Sequence, residues 1–223
     1  MREIVGEITG RSAFRGNLET TPTQKLMLET NNFQGQEKIF ECRSNILADV
    51  NIIWLINQGI VKTSTWDEEG RSIILGYWGA KDVVGQPLSK LEPYEIECLT
   101  DVRAVCIPCQ YWSCVSNEIR CHHQDTEKLL YIFRQKTVYQ KVINFLLFLS
   151  QKFGIDRDTG RLISICFTHQ ELADFTGTTR VNITRIINEL EQQNLIYRPD
   201  RGYIILRPAF IAKLNFSSTM LLR

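Results

Sequence analysis

No apolar run in the 223-residue chain exceeds five residues, Phe145–Leu149 being one of them. A bilayer span needs roughly 20, so no membrane crossing is expected. The first thirty residues lack the apolar centre of a secretory signal, and a cytoplasmic location is the expectation. An excess of charge is missing too: 26 Lys and Arg against 25 Asp and Glu leave +1, so no overall field draws the molecule onto a polyanion or membrane. Any such binding must come from a local patch. With 13 Gly and 6 Pro among 223 residues, collagen-like and low-complexity chains are excluded. Also absent are a Gly-x-Ser-x-Gly elbow, a Walker loop and a His-Glu-x-x-His helix, so an enzyme is not expected. What is present is ordinary globular material, 43% hydrophobic and 23% charged, enough for a core.

Residues 1–30 show no sustained period and read as a mobile arm. Within an expected sensor unit over 31–123, short apolar runs alternate with turn residues from Lys38 to Pro108: Ile39-Phe40, Ile52–Ile56, Ile60-Val61, Ile73–Leu75, Val83-Val84 and Val102–Ile107. Asp67–Arg71, with Gly70, has the chemistry of a short hairpin loop. Strands at this spacing predict an antiparallel barrel or jelly roll. Between Asp125 and Phe153 the period becomes helical, with Leu129, Phe133, Val142, Phe145 and Leu149 on one seam. We expect one helix of about 28 residues within 124–153, about 42 Å long at 1.5 Å per residue. Such a seam pairs with a copy of itself or packs on the chain's own barrel; dimerisation is the leading expectation.

Residues 154–223 form a third unit. Gly154–Gly160 reads as a hinge and loop. Thr168-His-Gln-Glu171 is a capping box that starts a short helix, Gly177 supplies a tight turn, and Thr178 or Thr179 caps a second helix reaching about Gln193. Leu195–Leu206 then reads strand, turn, strand, completing the order of a winged helix-turn-helix. The class is therefore α+β. At 100° per residue, Ile183, Ile186, Ile187 and Leu190 share one side of the second helix, and Val181, Arg185, Asn188 and Gln192 the other. Thr178, Thr179, Arg180, Asn182 and Thr184 crowd its start, small hydrogen-bonding and cationic residues suited to base edges and phosphates. Arg198 and Arg201 in the following hairpin extend the patch. The alternative is a solvated helix face without function.

Several segments carry a family resemblance over about Phe33–Pro208. They are Phe33-Gln-Gly-Gln-Glu-Lys-Ile-Phe40, Leu55–Lys62, Glu69-Gly-Arg71, Gly79–Gly85, Thr168-His-Gln-Glu-Leu-Ala173 and Gly177-Thr-Thr-Arg-Val-Asn-Ile-Thr-Arg185. In this order the chain resembles the cyclic-AMP receptor protein and fumarate-nitrate regulator family of bacterial transcription factors, and its helix-turn-helix is similar to that of the cyanobacterial nitrogen-control regulators. The resemblance implies an N-terminal jelly-roll sensor, a dimerising helix and a winged helix on double-stranded DNA with an inverted-repeat operator. RNA polymerase is an implied partner. Arg180, Val181 and Arg185 become the base-reading candidates, and Thr168, His169 and Gln170 join the DNA-contact set. Val181 stands where the cyclic-AMP branch has Glu, which implies a different operator.

In the cyclic-AMP branch a Gly-Glu pair holds the ribose and an Arg followed by Ser or Thr holds the phosphate. Here the stretch reads Val84-Gly85-Gln86-Pro87-Leu88, and no Arg occurs from Ser72 to Val102. A buried phosphate without its cation would be costly, so the effector, if there is one, is not expected to be cyclic AMP. Pro93-Tyr-Glu-Ile argues in the same way against 2-oxoglutarate, the effector of the nitrogen-control branch. Cys42 is the only cysteine before Cys98, so the cysteine cluster that the iron–sulfur branch carries ahead of its barrel has no counterpart. Cys106, Cys109, Cys114 and Cys121 read as small buried hydrophobes with no metal or cofactor, or alternatively as a thiol or metal redox sensor.

Overall fold

The computed structural model describes residues 35–199 and 202–210; the N-terminal arm and Arg201 lie outside the described residues. Eight strands open the described chain: β1 (Glu37–Phe40), β2 (Asn45–Ile46), β3 (Ile52–Gln58), β4 (Val61–Trp66), β5 (Ser72–Trp78), β6 (Val83–Val84), β7 (Glu95–Cys98) and β8 (Val102–Pro108). They pair antiparallel in two four-stranded sheets, β1-β8-β3-β6 and β2-β7-β4-β5, the jelly roll the sequence predicts. Between the sheets lie Ile46, Trp54, Ile56, Val61, Trp78, Val84, Tyr94, Ile96, Val102 and Ala104. The β4–β5 turn closes as Asp67 Oδ1 accepts from the Glu69 and Arg71 backbone N–H groups, at 3.0 and 2.9 Å. β2 and β7 escape the search for apolar runs. In β7 Ile96 stands alone between Glu95 and Glu97, buried like Tyr94 and Cys98 two residues to either side, and only this alternation betrays the strand.

The single helix over 124–153 is corrected. Helix α1 covers Ser116–Phe133, and a separate α2 covers Val138–Phe153. The break has a local cause. Thr137 caps α2, its hydroxyl accepting from Gln140 N–H at 3.1 Å, so the apolar period continues across a helix start. The seam is corrected with it. Leu129, Val142, Phe145 and Leu149 are buried within the chain, and Phe133 packs on Phe175 with ring centroids 4.7 Å apart. These five residues build the chain's own core, not an open face for a second copy.

Gly154–Gly160 is not a loop either. It holds β9 (Gly154–Arg157) and the start of β10 (Gly160–Ile163), an antiparallel hairpin in which Leu162 pairs with Ile155. α3 (His169–Thr176) and α4 (Arg180–Gln192) follow, then β11 (Ile196–Tyr197) and β12 (Ile204–Leu206), in a sheet of order β11-β12-β10-β9. One core joins α2, α3 and α4 to this sheet and to the outside of the jelly roll. Phe145 stacks on Phe175 at 3.6 Å, and Tyr77 of β5 meets Phe145 and Phe167 at 6.0 and 5.2 Å.

Candidate nucleic-acid interface

Two local devices set the angle between α3 and α4. At the start of α3 the Thr168 hydroxyl accepts from Glu171 N–H at 3.0 Å, and Glu171 Oε2 accepts from Thr168 N–H at 2.8 Å, the capping box foreseen from sequence. At its end Gly177 adopts φ +67°, a left-handed conformation that a side chain would strain, and Thr178 N–H returns to the Ala173 carbonyl at 3.0 Å. Of the two candidate caps of α4, Thr179 takes the role, accepting from Asn182 N–H.

With α4 so placed, Ile183, Ile186, Ile187 and Leu190 are all buried. Burying four aliphatic side chains contributes several kcal/mol, on the order of 1.5–3 each, and fixes the helix about its axis. The opposite face is offered outward: Val181 is 79% exposed and the Arg185 side chain 68%. Arg185 is steered by its own helix, donating to Asn182 Oδ1 at 3.1 Å and lying 3.6 Å from Glu189. Asn182 also donates to Thr178 Oγ1 at 3.0 Å, so Thr178, Asn182 and Arg185 form one connected row.

His169, Thr184 and Arg180 are tied together across the turn. His169 Nδ1 lies 2.8 Å from Thr184 Oγ1, and the Thr184 hydroxyl donates to the Arg180 carbonyl at 2.9 Å. Gln170 is held on α3 by Asp174, at 2.7 Å. His169 and Arg180 line a cleft of about 1090 Å³ together with Thr168, Gln170, Cys166, Glu191, Arg198 and Tyr203. Its electrostatics are mixed. Burial first, then the Arg198 and Arg180 charges, push the His169 pKa below its ordinary value. Glu191 is held low in turn by its hydrogen bond from Arg198.

Arg198 is therefore not a free wing cation. Its Nε donates to Glu191 Oε2 at 3.0 Å, its Nη2 bonds the same oxygen, and Nη2 also reaches Asn188 Oδ1 at 3.1 Å. Glu191 is the residue that sequence reasoning missed. The signal was an acid at the end of α4 seven residues before Arg198, too far apart for a helix-pair rule and joined only by the turn into β11.

The second set of candidates, Val84, Gly85, Gln86, Pro87 and Leu88, lies where β6 passes into a short 3₁₀ turn over Gln86–Leu88. A Cβ on Gly85 would meet the Ile52 carbonyl at 2.6 Å, so the backbones touch there. Gln86 spends its amide on the Ser89 and Leu91 carbonyls, at 3.2 and 3.1 Å. Burial pushes the Tyr94 phenol up to about 12, with Gly85 N–H and Thr63 as its polar neighbours. The site is occupied by the chain's own groups.

The cysteines are scattered across environments. Cys114 is buried, Cys106 and Cys121 are half-buried, and Cys109 is exposed, none of them in a disulfide. Burial pushes the Cys106 thiol up, away from the reactive thiolate. Among the described residues no three His, Cys, Asp or Glu side chains converge as metal ligands.

The comparisons with known proteins agree with this geometry. Residues 140–214 match the Crp-like helix-turn-helix domain. The regulatory protein CysR of Synechococcus elongatus is 39% identical over 169 residues, 74% of this chain and 82% of that protein. The global nitrogen regulator of the same organism is 24% identical over 178 residues, 72% of this chain and 80% of its own length. Among solved structures, a CRP-family transcriptional regulator of Thermus thermophilus superposes with a TM-score of 0.68 at 17% identity, covering 80% of this chain and 96% of that one. The fold, the capped helix pair and the identity to CysR together place the chain in the CRP/FNR family of transcriptional regulators.

Proposed function

We propose that the chain is a homodimeric, sequence-specific transcription regulator that reads an inverted-repeat operator through α4, with RNA polymerase as a further partner. The carrying observation is the split of α4 into a buried aliphatic side and an outward row of Val181, Asn182 and Arg185, which Thr178 continues ahead of the helix. Arg180 and Arg185 supply forked donors matched to the O6 and N7 acceptors of guanine. Thr168, Gln170, Thr179, Thr184 and Arg198 flank the row and suit phosphates. Arg201, outside the described residues, belongs to the same proposal by sequence alone.

The division of labour is a jelly-roll sensor over about 31–123 and a DNA-binding part from α2 onward. Because the Val142, Phe145 and Leu149 seam is buried in the chain, the dimer contact falls to the exposed stripe of α1. There Arg120, Glu127, Leu130 and Tyr131 recur at the spacing of successive turns, Leu130 and Tyr131 being large and exposed. The effector is not cyclic AMP: no guanidinium occurs from Ser72 to Val102, and Tyr94 and Gln86 already engage the turn around Gly85.

Selection of bound fragments from random duplex DNA tests the proposal. An inverted repeat with half-sites about 10 base pairs apart supports it. Recovery of sequence-independent fragments overturns it.

A further inference from the structure

We propose that DNA binding by this chain takes up a proton at His169, which grips a backbone phosphate only as the imidazolium. This rests on the DNA-binding reading above and adds a regulation to the same site.

The hydrogen-bond chain favours one tautomer. The Thr184 hydroxyl has one proton and gives it to the Arg180 carbonyl, 2.9 Å away. With its proton so placed, the Thr184 oxygen accepts from His169 Nδ1, at 2.8 Å, and this arrangement favours the tautomer with the hydrogen on Nδ1. In the neutral ring the second nitrogen, Nε2, is then an acceptor. A phosphodiester also offers only acceptors, so neutral His169 and a phosphate in the same cleft repel, whereas a proton on Nε2 turns the pair into a charge-assisted hydrogen bond.

The surroundings favour the neutral ring until DNA arrives. Among the described residues, the charged and titratable groups lining the cleft with His169 are Arg180 and Glu191 from α4, Arg198 after β11, Cys166 before α3 and Tyr203 before β12. Glu191 is committed to Arg198, at 3.0 Å, and among the described residues no carboxylate is hydrogen-bonded to the imidazole. Partial burial, and after it the two guanidiniums, disfavour a further positive charge. A phosphate entering the cleft reverses the local sign, because its negative charge beside the ring favours the imidazolium. His169 then binds its proton more tightly with DNA than without, and by linkage DNA binds more tightly as pH falls.

The other two histidines lie outside the cleft. His122 stacks on Trp78 and is held down to about 4, and His123 is exposed on α1 beside Glu127.

Fluorescence anisotropy with a labelled duplex of about 30 base pairs, at fixed ionic strength and from about pH 8 to about pH 6, reads the coupling, since salt otherwise dominates affinity. The Kd should tighten toward about tenfold per pH unit for each His169 engaged, within the window between its free and bound pKa. H169Q should give a Kd without that pH dependence. In an NMR titration the His169 ring signal should move to a higher midpoint when the duplex is added. A pH-independent Kd for the unmodified chain, or an unmoved midpoint, overturns the coupling and leaves the DNA-binding reading standing. Absence of duplex binding at every pH overturns both.

Discussion

Lys152 Nζ of α2 lies 2.9 Å from Asp82 Oδ2 in the turn before β6, and 2.5 Å from Asp125 Oδ2 of α1. One ammonium, only 12% exposed, thus joins the jelly roll to both helices, and it also lies over the Trp78 ring at 4.7 Å from the centroid. The two carboxylates respond in opposite directions. Burial wins at Asp82, whose pKa is raised although it faces Lys152 and accepts from Gly79 N–H. At Asp125 burial also pulls upward, but Lys152 and Lys128 together outweigh it and the pKa falls.

K152M should therefore be costly. It leaves Asp82 in the interior without its cation, and removing one partner of a buried pair costs about 3–5 kcal/mol. Urea unfolding followed by tryptophan fluorescence measures the loss. The double variant K152M/D82L should recover much of it; a single variant as stable as the parent would show that the contact contributes nothing net.

Acid should unfold the protein earlier than its carboxylates alone would suggest. Burial, then the Lys152 charge, hold the His122 pKa down to about 4. The unfolded chain titrates this group near 6.5. Between those values the unfolded state binds the extra proton, so stability present above about pH 6.5 is lost progressively down to about pH 4, by roughly 3 kcal/mol in full. Asp82 works the other way, because a raised acid binds its proton in the folded state first. Comparing the pH dependence of denaturant midpoints for H122F and the parent isolates the histidine: the variant should lose less stability toward acid.

R180A and R185A should each weaken the selected operator by about 1–3 kcal/mol and relax preference at one position per half-site, leaving the fold intact. E191Q should act differently. It frees Arg198 from its carboxylate and should strengthen binding to all duplexes alike while steepening the salt dependence, because a phosphate contact carries no base information. Anisotropy titrations on matched and scrambled duplexes at two salt concentrations separate these outcomes. Undiminished specificity in R185A would remove α4 as the reading element.

Charge on α1 and charge on α2 should have different consequences. L130E/Y131E places carboxylates on an exposed stripe and should convert a dimer to a folded monomer, visible by light scattering with unchanged far-ultraviolet circular dichroism. F145E instead buries a charge against Phe175 and should prevent folding. A parent chain that is monomeric at micromolar concentration would dispose of the dimer proposal.

Much of this molecule is written locally. Thr168, Glu171, Gly177 and Thr179 sit within twelve consecutive residues, and capping and turn chemistry act over such distances, so the helix-turn-helix and the buried side of α4 were legible from sequence. Alternation and turn residues marked six of the eight jelly-roll strands. Periodicity misled between Asp125 and Phe153, because an apolar seam has the same spacing whether one helix carries it or two; Thr137 with Gln140 three residues on was the overlooked local signal. What that seam faces was not local at all. Only the tertiary structure brings Phe145 onto Phe175 and Tyr77, Lys152 onto Asp82, and Arg198 onto Glu191. These contacts join residues 7 to 70 positions apart, and their formation depends on long-range burial and on desolvated charge finding a partner, neither of which leaves a period in the chain.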